Sequence, residues 1–373
     1  MSDTGACGRV YVVAKTELGR LIERLWAEGY TVVGPTVAQG AIVFDELRGV
    51  DQLPIGWTDE QERGTYRLKR RDDDAYFGYA VGPHSWKKYL FPSRLTLFSI
   101  ERTADGFTVQ PGAETVPRYA FLGVRSCDLH AIAVQDRTFL GGPHVDPHYQ
   151  ARREGALIIA VQCGTAAPTC FCASMGTGPH ARTGFDLALT EFTDSFLVEV
   201  GTERGGALLD GLSTRDATGE DLSKAEEIVA DTAQAQTRRL DTSDMPALLY
   251  ENLEHSRWDD VAGRCLSCTN CTMVCPTCFC HSVEEVPDLS GERSERVRQW
   301  ESCFNPEFSH VAGGSTRPEI RERYRQWLTH KLASWIDQFG VSGCVGCGRC
   351  ITWCPTGIDL TEEVAAIRGS DRA

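Results

Sequence analysis

The sequence predicts an α+β fold in two parts, an α/β domain over residues 1–240 and an α-helical domain over residues 241–373. Three observations support this prediction. Short β-branched runs and an amphipathic helix pattern follow one another in the first part. The second part contains the longest amphipathic helix pattern of the chain. Eleven of the sixteen cysteines lie between Cys265 and Cys354, so the second part also has a different chemistry.

In the first part, strands are expected where β-branched and aromatic residues are bounded by glycine, proline or polar residues. These segments are residues 9–14, 31–33, 41–44, 119–124, 156–161 and 196–200. Residues 16–28 predict a helix, because apolar residues recur there at steps of three and four, and Gly29 can end it. Residues 207–240 are polar and lack proline, which favours an exposed helical connection to the second part.

In the second part, residues 318–339 predict a helix with one apolar stripe at steps of three and four residues. Ser315 or Thr316 can cap its start, and Gly340 suits its exit. A shorter helix is predicted over residues 246–255. The second part is therefore expected to be mainly helical.

The composition of the 373 residues restricts the class of protein. The chain is 42% hydrophobic and 24% charged, which is ordinary for a globular protein. Its formal net charge of −14 argues against nucleic acids and anionic membrane surfaces as partners. The first residues lack the pattern of a secretion signal, and no apolar run reaches the roughly 20 residues of a membrane span. We therefore expect a cytoplasmic protein whose many cysteines bind metal rather than form disulfides.

One cysteine pattern, C-x₂-C-x₂-C-x₃-C-P, occurs twice, and we call the copies the first and second cysteine patterns. This pattern ligates [4Fe–4S] clusters, and in two-cluster proteins the fourth cysteine of each copy ligates the other cluster. The first cluster is therefore assigned to Cys265, Cys268, Cys271 and Cys354, and the second to Cys344, Cys347, Cys350 and Cys275. Structural zinc is the alternative, but zinc ligands usually come in pairs from two separate knuckles. The second part is thus predicted to be a helical two-cluster ferredoxin domain, in which helices rather than short hairpins join the two patterns.

Three further cysteines, Cys278, Cys280 and Cys303, lie close to the first cysteine pattern in sequence. They are either small buried apolar residues, or additional ligands and hydrogen-bond donors to a cluster. Two other residues of the second pattern have a similar pair of interpretations. Arg349 and Trp353 either tune the cluster potential, through charge and exclusion of water, or serve only solvation and packing.

Four cysteines of the first part are predicted to meet at one edge of its sheet. Cys127 and Cys163 each follow a predicted strand, and the carboxyl ends of parallel strands share one edge. Cys170 and Cys172 come soon afterwards in the chain. We predict a third [4Fe–4S] cluster on these four residues, and a zinc site or inert packed thiols are the alternatives.

Several sequence segments between residues 122 and 359 resemble those of a known family, and they contain other residues as well as these cysteines. The segments, in chain order, are GVRSCDLHAI, CFCASMGTGP, GFDLALTE, CTMVCPTCFC, RYRQWLTHKL and SGCVGCGRCITWCPTGID. Together they resemble the β subunit of soluble cytoplasmic [NiFe] sulfhydrogenases, and the electron-input subunit of anaerobic sulfite reductase shares them. The resemblance implies an electron-transfer subunit with a carboxyl-terminal helical ferredoxin domain. It also implies two partners, a flavin subunit that uses NAD(P)H and a catalytic subunit.

These residues and this resemblance together predict an iron–sulfur subunit that relays electrons, with an NAD(P)H-linked flavin subunit on one side and a catalytic subunit on the other. The expected complex is a cytoplasmic [NiFe] hydrogenase, in which this chain is not catalytic alone. One alternative is the electron-input subunit of an anaerobic sulfite reductase. The other is a sulfur or polysulfide reductase whose amino-terminal cluster is catalytic.

Overall fold

The structure is a computed structural model, and it describes residues 7–112 and 115–370. The strands within these residues are β1 Val10–Ala14, β2 Thr31–Ala38, β3 Ala41–Glu46, β4 Trp57–Glu62, β5 Thr65–Arg70, β6 Arg94–Thr103, β7 Gly106–Pro111, β8 Tyr119–Val124, β9 Leu157–Val161, β10 Leu187–Glu191, β11 Ser195–Val200, β12 Thr214–Asp216, β13 His281–Pro287, β14 Arg293–Trp300, β15 His310–Val311 and β16 Gly314–Ser315. The α-helices are α1 Glu17–Ala27, α2 Lys87–Leu90, α3 Ser126–Phe139, α4 Pro147–Gly155, α5 Glu203–Ala207, α6 Gly219–Gln234, α7 Met245–Glu251, α8 Arg257–Ala262, α9 Asn270–Met273, α10 Ile320–Thr329, α11 Trp335–Phe339, α12 Arg349–Thr352 and α13 Leu360–Ser370. A 3₁₀ turn at Val50–Gln52 and a π-helical turn at His330–Ser334 complete the set.

The largest sheet has eight strands in the order β12-β1-β11-β10-β9-β8-β2-β3. Its central pairs, β10 with β9, β9 with β8 and β8 with β2, are parallel. These strands are covered on both faces, so they are nearly continuous apolar runs, as in LIIAV of β9. Leu21 and Leu25 of α1 pack against one face, and Ile132 of α3 and Tyr149 of α4 pack against the other. The first part of the chain is therefore a doubly covered α/β sheet.

All six predicted strands of the first part are present, as β1, β2, β3, β8, β9 and β11. The predicted helix over residues 16–28 is α1, and Gly29 ends it with a φ of +81°. The exposed connection contains α6, which Thr218 and Asp221 cap reciprocally. The hairpin of β4 and β5 was not predicted, because its sequences, WTDEQE and TYRLKR, carry few apolar residues at alternating positions.

The predicted helix over residues 318–339 is present as α10, the π-helical turn and α11. It begins at Ile320, later than predicted, because Glu319 and Glu322 form its capping box in place of the expected serine or threonine. Gly340 ends it in the left-handed conformation, with a φ of +70°, as predicted. The π-helical turn in its middle was not predicted. Such turns are frequent at functional sites.

Strands as well as helices join the two cysteine patterns, which corrects the expectation that helices alone do so. β13 and β14 form an antiparallel hairpin, and β14 also pairs with β6 in the sheet β13-β14-β6-β7. The hairpin was missed because β14, RSERVRQW, is mostly charged and polar, so an apolar alternation is weak. The shorter predicted helix, over residues 246–255, is present as α7 and ends earlier, at Glu251.

A second hydrophobic core lies among α7, α8, α10, α12 and α13, with Trp258, Leu328 and Ile351 at its centre. The chain therefore combines an α/β sheet with a helical core in a mixed α+β fold. The division at residue 240 stays a prediction, and backbone hydrogen bonds between β6 and β14 cross it. Within residues 7–112 and 115–370, none of the helices has both the length and the apolar character needed to span a membrane.

Candidate iron–sulfur centres

The four cysteines assigned to the first cluster, which we call the first quartet, line one cavity. Three come from the loop before α9 and from α9 itself, and the fourth, Cys354, comes from the second cysteine pattern. The cavity has about 480 Å³ of empty space, including its opening to solvent. Its apolar wall consists of Phe304, Tyr324, Trp327, Ile358 and Leu360. The fold thus brings Cys354 to the loop of the first cysteine pattern, and Cys350 of the second pattern lines the same cavity.

Residues with positive φ curl each cysteine loop around its middle cysteine. Ser267 and Thr269 adopt φ values of +53° and +67° in the first pattern, and Gly346 and Gly348 adopt +62° and +74° in the second. Glycine tolerates this region without strain, whereas serine and threonine do so at a cost of roughly 1–2 kcal/mol each. Both loops therefore have the same curvature, although only the second has glycines.

The four cysteines assigned to the second cluster, the second quartet, are electrostatic neighbours. Burial raises the pKa of Cys350, and the charges of Cys344, Cys347 and Cys275 raise it further. Burial also raises the pKa of Cys344 to about 12, with Cys347 and Cys275 again adjacent. Cys275 thus joins three residues of the second cysteine pattern, as the crossed assignment requires. Ligation itself stays a prediction.

Burial and mutual repulsion raise the pKa of several of these thiols, whereas a hydrogen bond with Cys278 lowers the pKa of Cys275. In the first quartet, burial raises the pKa of Cys271, and then the charges of Cys265, Cys354 and Cys268 do so. Four neighbouring thiolates, three of them at least partly buried, would repel one another strongly in the absence of positive charge. Iron supplies that charge and displaces the thiol protons, so this donor set fits an iron–sulfur cluster.

Among the described residues, no three His, Cys, Asp or Glu side chains converge closely enough to bind a single metal ion. A single zinc ion needs its ligands at about 2.0–2.3 Å, whereas the thiolates of a cubane are spread over its corners. All sixteen cysteines fall in the described part of the chain, and none of them is in a disulfide there.

The two carboxyl-terminal quartets are adjacent. The charge of Cys275, in the second quartet, is among those that raise the pKa of Cys271. Conversely, the charge of Cys271 contributes to the raised pKa of Cys350. The two quartets therefore meet along Cys271, Cys275 and Cys350.

The four cysteines of the first part, the amino-terminal quartet, also lie together. β8 and β9 pair in parallel as predicted, and Cys127 and Cys163 lie just beyond their carboxyl ends. Burial raises the pKa of Cys170, followed by the charges of Cys172 and Cys163. Cys172 is in turn a neighbour of Cys127. The side-chain amide of Gln236 donates a hydrogen bond to Cys172 Sγ over 3.2 Å.

The amino-terminal quartet packs directly against the second quartet. Cys127, Cys172 and Cys347 share one small buried cluster. The backbone of Phe171 donates a hydrogen bond to the carbonyl of Gly346 over 2.9 Å. A Cβ atom at Gly346 would lie 2.7 Å from the Cα of Cys172, so only glycine allows this approach. The three quartets therefore follow one another in space.

Arg349 is not a surface residue, which excludes the interpretation that it serves only solvation. It is 1% exposed, and its guanidinium donates two hydrogen bonds to Asp128, over 2.8 and 3.0 Å. A third, from Nε, reaches the carbonyl of Gly82 over 3.0 Å. The other questioned residue, Trp353, stacks on Tyr66 with ring centroids 5.1 Å apart. Arg349 thus places a positive charge between the second and amino-terminal quartets.

The remaining cysteines of the second part lie beside buried lysines. Cys278 shares a hydrogen bond with Cys275, and Cys280 shares one with Cys303. The charges of Cys275 and Cys278 are among the electrostatic neighbours of both Lys87 and Lys331. The interpretation of these cysteines as simple apolar residues is therefore incomplete.

The two lysines were missed by sequence reasoning, but Lys331 left a signal. It lies four residues after Trp327 and four before Trp335, so it occupies the apolar stripe of the predicted helix. A lysine on a buried stripe indicates a charged partner in the interior. Burial disfavours its charge, yet the thiolates of Cys275, Cys278 and Cys344 raise the pKa of Lys331 well above its ordinary value.

Comparisons with known proteins agree with this site. A family described as a 4Fe-4S dicluster domain matches residues 264–358, which contain both cysteine patterns. Sulfhydrogenase 2 subunit beta of Pyrococcus furiosus is 30% identical over 340 residues, which cover 90% of this chain and 92% of that protein. No solved structure matches the chain. The chain therefore belongs to the sulfhydrogenase β-subunit family, and it is an iron–sulfur electron-transfer protein with [4Fe–4S] clusters.

Proposed function

We propose that the chain relays electrons between a flavin subunit that uses NAD(P)H and the catalytic subunit of a cytoplasmic [NiFe] hydrogenase. The observation that carries this proposal is the arrangement of twelve cysteines in three adjacent quartets. A protein that binds substrate needs one reactive centre, whereas a relay needs several centres in series. The name of the Pyrococcus furiosus relative, a sulfhydrogenase subunit, favours a hydrogenase as the complex.

The order of the quartets defines the route within the chain. The first quartet is the outermost, because Cys268 is exposed and Leu266 beside it is 64% exposed. The second quartet is central, and it contacts the first through Cys271 and the amino-terminal quartet through Cys347. One electron at a time would move along this series. The protein itself breaks no bonds; it fixes the separation of the clusters and excludes water from them.

The ligand assignment is part of the proposal. The first cluster is held by Cys265, Cys268, Cys271 and Cys354, the second by Cys344, Cys347, Cys350 and Cys275, and the third by Cys127, Cys163, Cys170 and Cys172. When bound, these clusters accept and release single electrons. The third is supported by the convergence of four thiols at the carboxyl edge of a parallel sheet, where ligands of such sheets bind.

Iron and sulfide quantitation of anaerobically purified protein tests the proposal. We expect about twelve irons in the wild type and about eight in a Cys170→Ser, Cys172→Ser double variant, at four irons per cubane. About eight irons in the wild type would remove the third cluster and leave the two carboxyl-terminal ones. Protein without iron after reconstitution would remove the relay altogether.

Activity and composition of the complex separate the relay from its alternatives. The isolated chain should be reduced by dithionite, with cluster EPR signals, but should turn over neither hydrogen nor sulfite. Hydrogen or sulfite turnover by the isolated chain contradicts the relay. If the double variant loses sulfur or polysulfide reduction while the partner's reaction continues, the amino-terminal cluster is catalytic. Co-purification with a sulfite reductase subunit in place of a hydrogenase subunit would assign the chain to that complex.

A further inference from the structure

The ammonium group of Lys331 contacts a predicted ligand of the second quartet. Its Nζ donates hydrogen bonds to Cys275 Sγ over 3.2 Å and to the hydroxyl of Thr277 over 3.0 Å. The hydroxyl of Thr277 donates in turn to the carbonyl of Gly343 over 2.7 Å. Lys331 is only 6% exposed, so water and salt screen this charge weakly. The positive charge is therefore only weakly screened by solvent at the sulfur of Cys275.

The backbone of Lys331 holds the other side of the same quartet. Its carbonyl accepts a hydrogen bond from the backbone of Gly343 over 2.8 Å and another from the hydroxyl of Ser342 over 3.2 Å. The same hydroxyl accepts from the backbone N–H of Cys344 over 3.0 Å. A carbonyl in a regular α-helix is occupied within the helix, and the π-helical turn at His330–Ser334 gives this one its outside partners. One residue thus orients both cysteine patterns.

The first quartet has weaker donors around its sulfurs. Cys265 Sγ accepts from the backbone N–H of Ser267 over 3.4 Å, and Cys354 Sγ accepts from that of Ile358 over 3.3 Å. Both donors are uncharged, and Cys268 of this quartet is exposed. A hydrogen bond from a charged group is roughly twice as strong as one between neutral groups. The buried Arg323 acts electrostatically on Cys265, but its guanidinium donates hydrogen bonds to the carbonyls of Arg317 and Pro318. The second quartet therefore differs in that a charged group donates directly to one of its sulfurs.

A cluster gains one negative charge when it is reduced, and a nearby buried cation stabilises the reduced form. Net charge and hydrogen bonds to sulfur are among the factors that set the potential of iron–sulfur clusters. We propose that Lys331 makes the cluster of the second quartet more readily reduced than that of the first. With both clusters bound, an electron on the first would then pass to the second, which would oxidise the first cluster and reduce the second with no change in bonds. This inference rests on the ligand assignment in the proposed function.

Potentiometric titration followed by EPR tests the inference on the purified full chain. The variants are Lys331→Met and Lys331→Gln, which remove the charge, and Lys331→Arg, which keeps it. Lys88→Met is the matched control, because Lys88 is exposed and lies over Tyr89. Iron content is measured first in each variant. Repeating the titration in a Cys268→Ala background, which lacks a ligand of the first cluster, identifies the cluster that responds.

We expect both neutral variants to lower one midpoint potential by at least 59 mV. This shift corresponds to a tenfold change in the equilibrium constant for the transfer of one electron between the clusters. The same shift should persist in the Cys268→Ala background, and Lys331→Arg and Lys88→Met should leave both midpoints in place. Unchanged midpoints at full iron content would overturn the inference, as would an equal fall of both. Loss of four irons in both neutral variants would also overturn it, since Lys331 would then serve assembly. Wild-type protein without these clusters would instead refute the proposed function.

Discussion

Arg349 and Asp128 form a two-pronged ion pair that is almost entirely buried, with side chains 0% and 1% exposed and N–O distances of 2.8 and 3.0 Å. Arg349 belongs to the second cysteine pattern, and Asp128 directly follows Cys127 of the amino-terminal quartet. The ion pair therefore fixes the position of the second quartet relative to the amino-terminal quartet. If electrons pass between clusters on these two quartets, the ion pair maintains the distance between the clusters.

Breaking this pair should destabilise the protein strongly. In Asp128→Asn, Arg349 keeps its charge but loses its counter-ion, which typically costs about 3–5 kcal/mol. Thermal unfolding of the anaerobic protein, followed by circular dichroism and cluster absorbance, measures the loss. Glu362→Gln is the control, because the Arg63–Glu362 pair, 2.8 Å apart, is 55% and 51% exposed and should contribute at most about 1 kcal/mol. Equal losses in the two variants would contradict a structural role for the buried pair.

The crossed ligand assignment makes a prediction about iron content in double variants. Cys268→Ala and Cys354→Ala remove ligands of the same predicted cluster, so the double variant should lose about four irons, as each single variant does. Cys268→Ala combined with Cys275→Ala affects two clusters and should lose about eight. Iron assays on protein reconstituted in parallel provide the comparison. If the first double variant lost about eight irons and the second about four, each cysteine pattern would hold its own cluster.

Gly346 should tolerate no side chain. Its φ is +62°, and a Cβ there would lie 2.7 Å from both the N and the Cα of Cys172. We expect Gly346→Ala to destabilise the protein by about 1–3 kcal/mol beyond the strain of the left-handed backbone. Gly176 is the matched control, since it has a φ of +66° with open space around it, and alanine there should cost only about 1–2 kcal/mol.

Thermal unfolding and iron content of the two alanine variants separate steric contact from backbone strain. If both variants lose the same stability and iron, the approach of the second cysteine pattern to Cys172 is unimportant. If only Gly346→Ala loses iron from the second and amino-terminal clusters, this backbone contact assembles them.

His330 should make stability depend on pH below neutrality. Burial, followed by the charge of Lys331, lowers the pKa of His330 from 6.5 to about 4. The imidazole of His330 thus binds a proton less readily in the folded protein than in the unfolded chain. The contribution of neutral His330 to the free energy of unfolding is therefore complete above pH 6.5 and is lost as the pH falls towards 4. The full shift corresponds to at most about 3 kcal/mol, and less after screening at this half-buried site.

The difference between wild type and His330→Gln isolates this contribution from acid loss of the clusters, which affects both proteins. Denaturant unfolding near neutral pH and at about pH 4.5 should show that the wild type loses more stability than the variant. Parallel losses in the two proteins would mean that His330 is charged in the folded state.

The sequence alone determined the chemistry of this chain and much of its layout. Two cysteine patterns with fixed spacing are sufficient to identify [4Fe–4S] ligation, because three closely spaced thiolates and one distant thiolate suit a cubane. The six strands and two main helices of regular apolar periodicity were also predicted, since burial of one face or both imposes that periodicity. Elements without it, such as β4, β5 and the hairpin of β13 and β14, were missed.

The tertiary structure decided what surrounds the thiols. Lys87 and Lys331 are far from Cys275 in sequence, Asp128 is far from its partner Arg349, and only the fold buries these charges beside the thiols. The π-helical turn that turns Lys331 towards two loops leaves no signal in apolar spacing. Ligand identity is a local property of spacing along the chain. The electrostatic field at a cluster is the sum of contributions from charges on distant segments. That field is therefore set only when the folded chain brings these charges together.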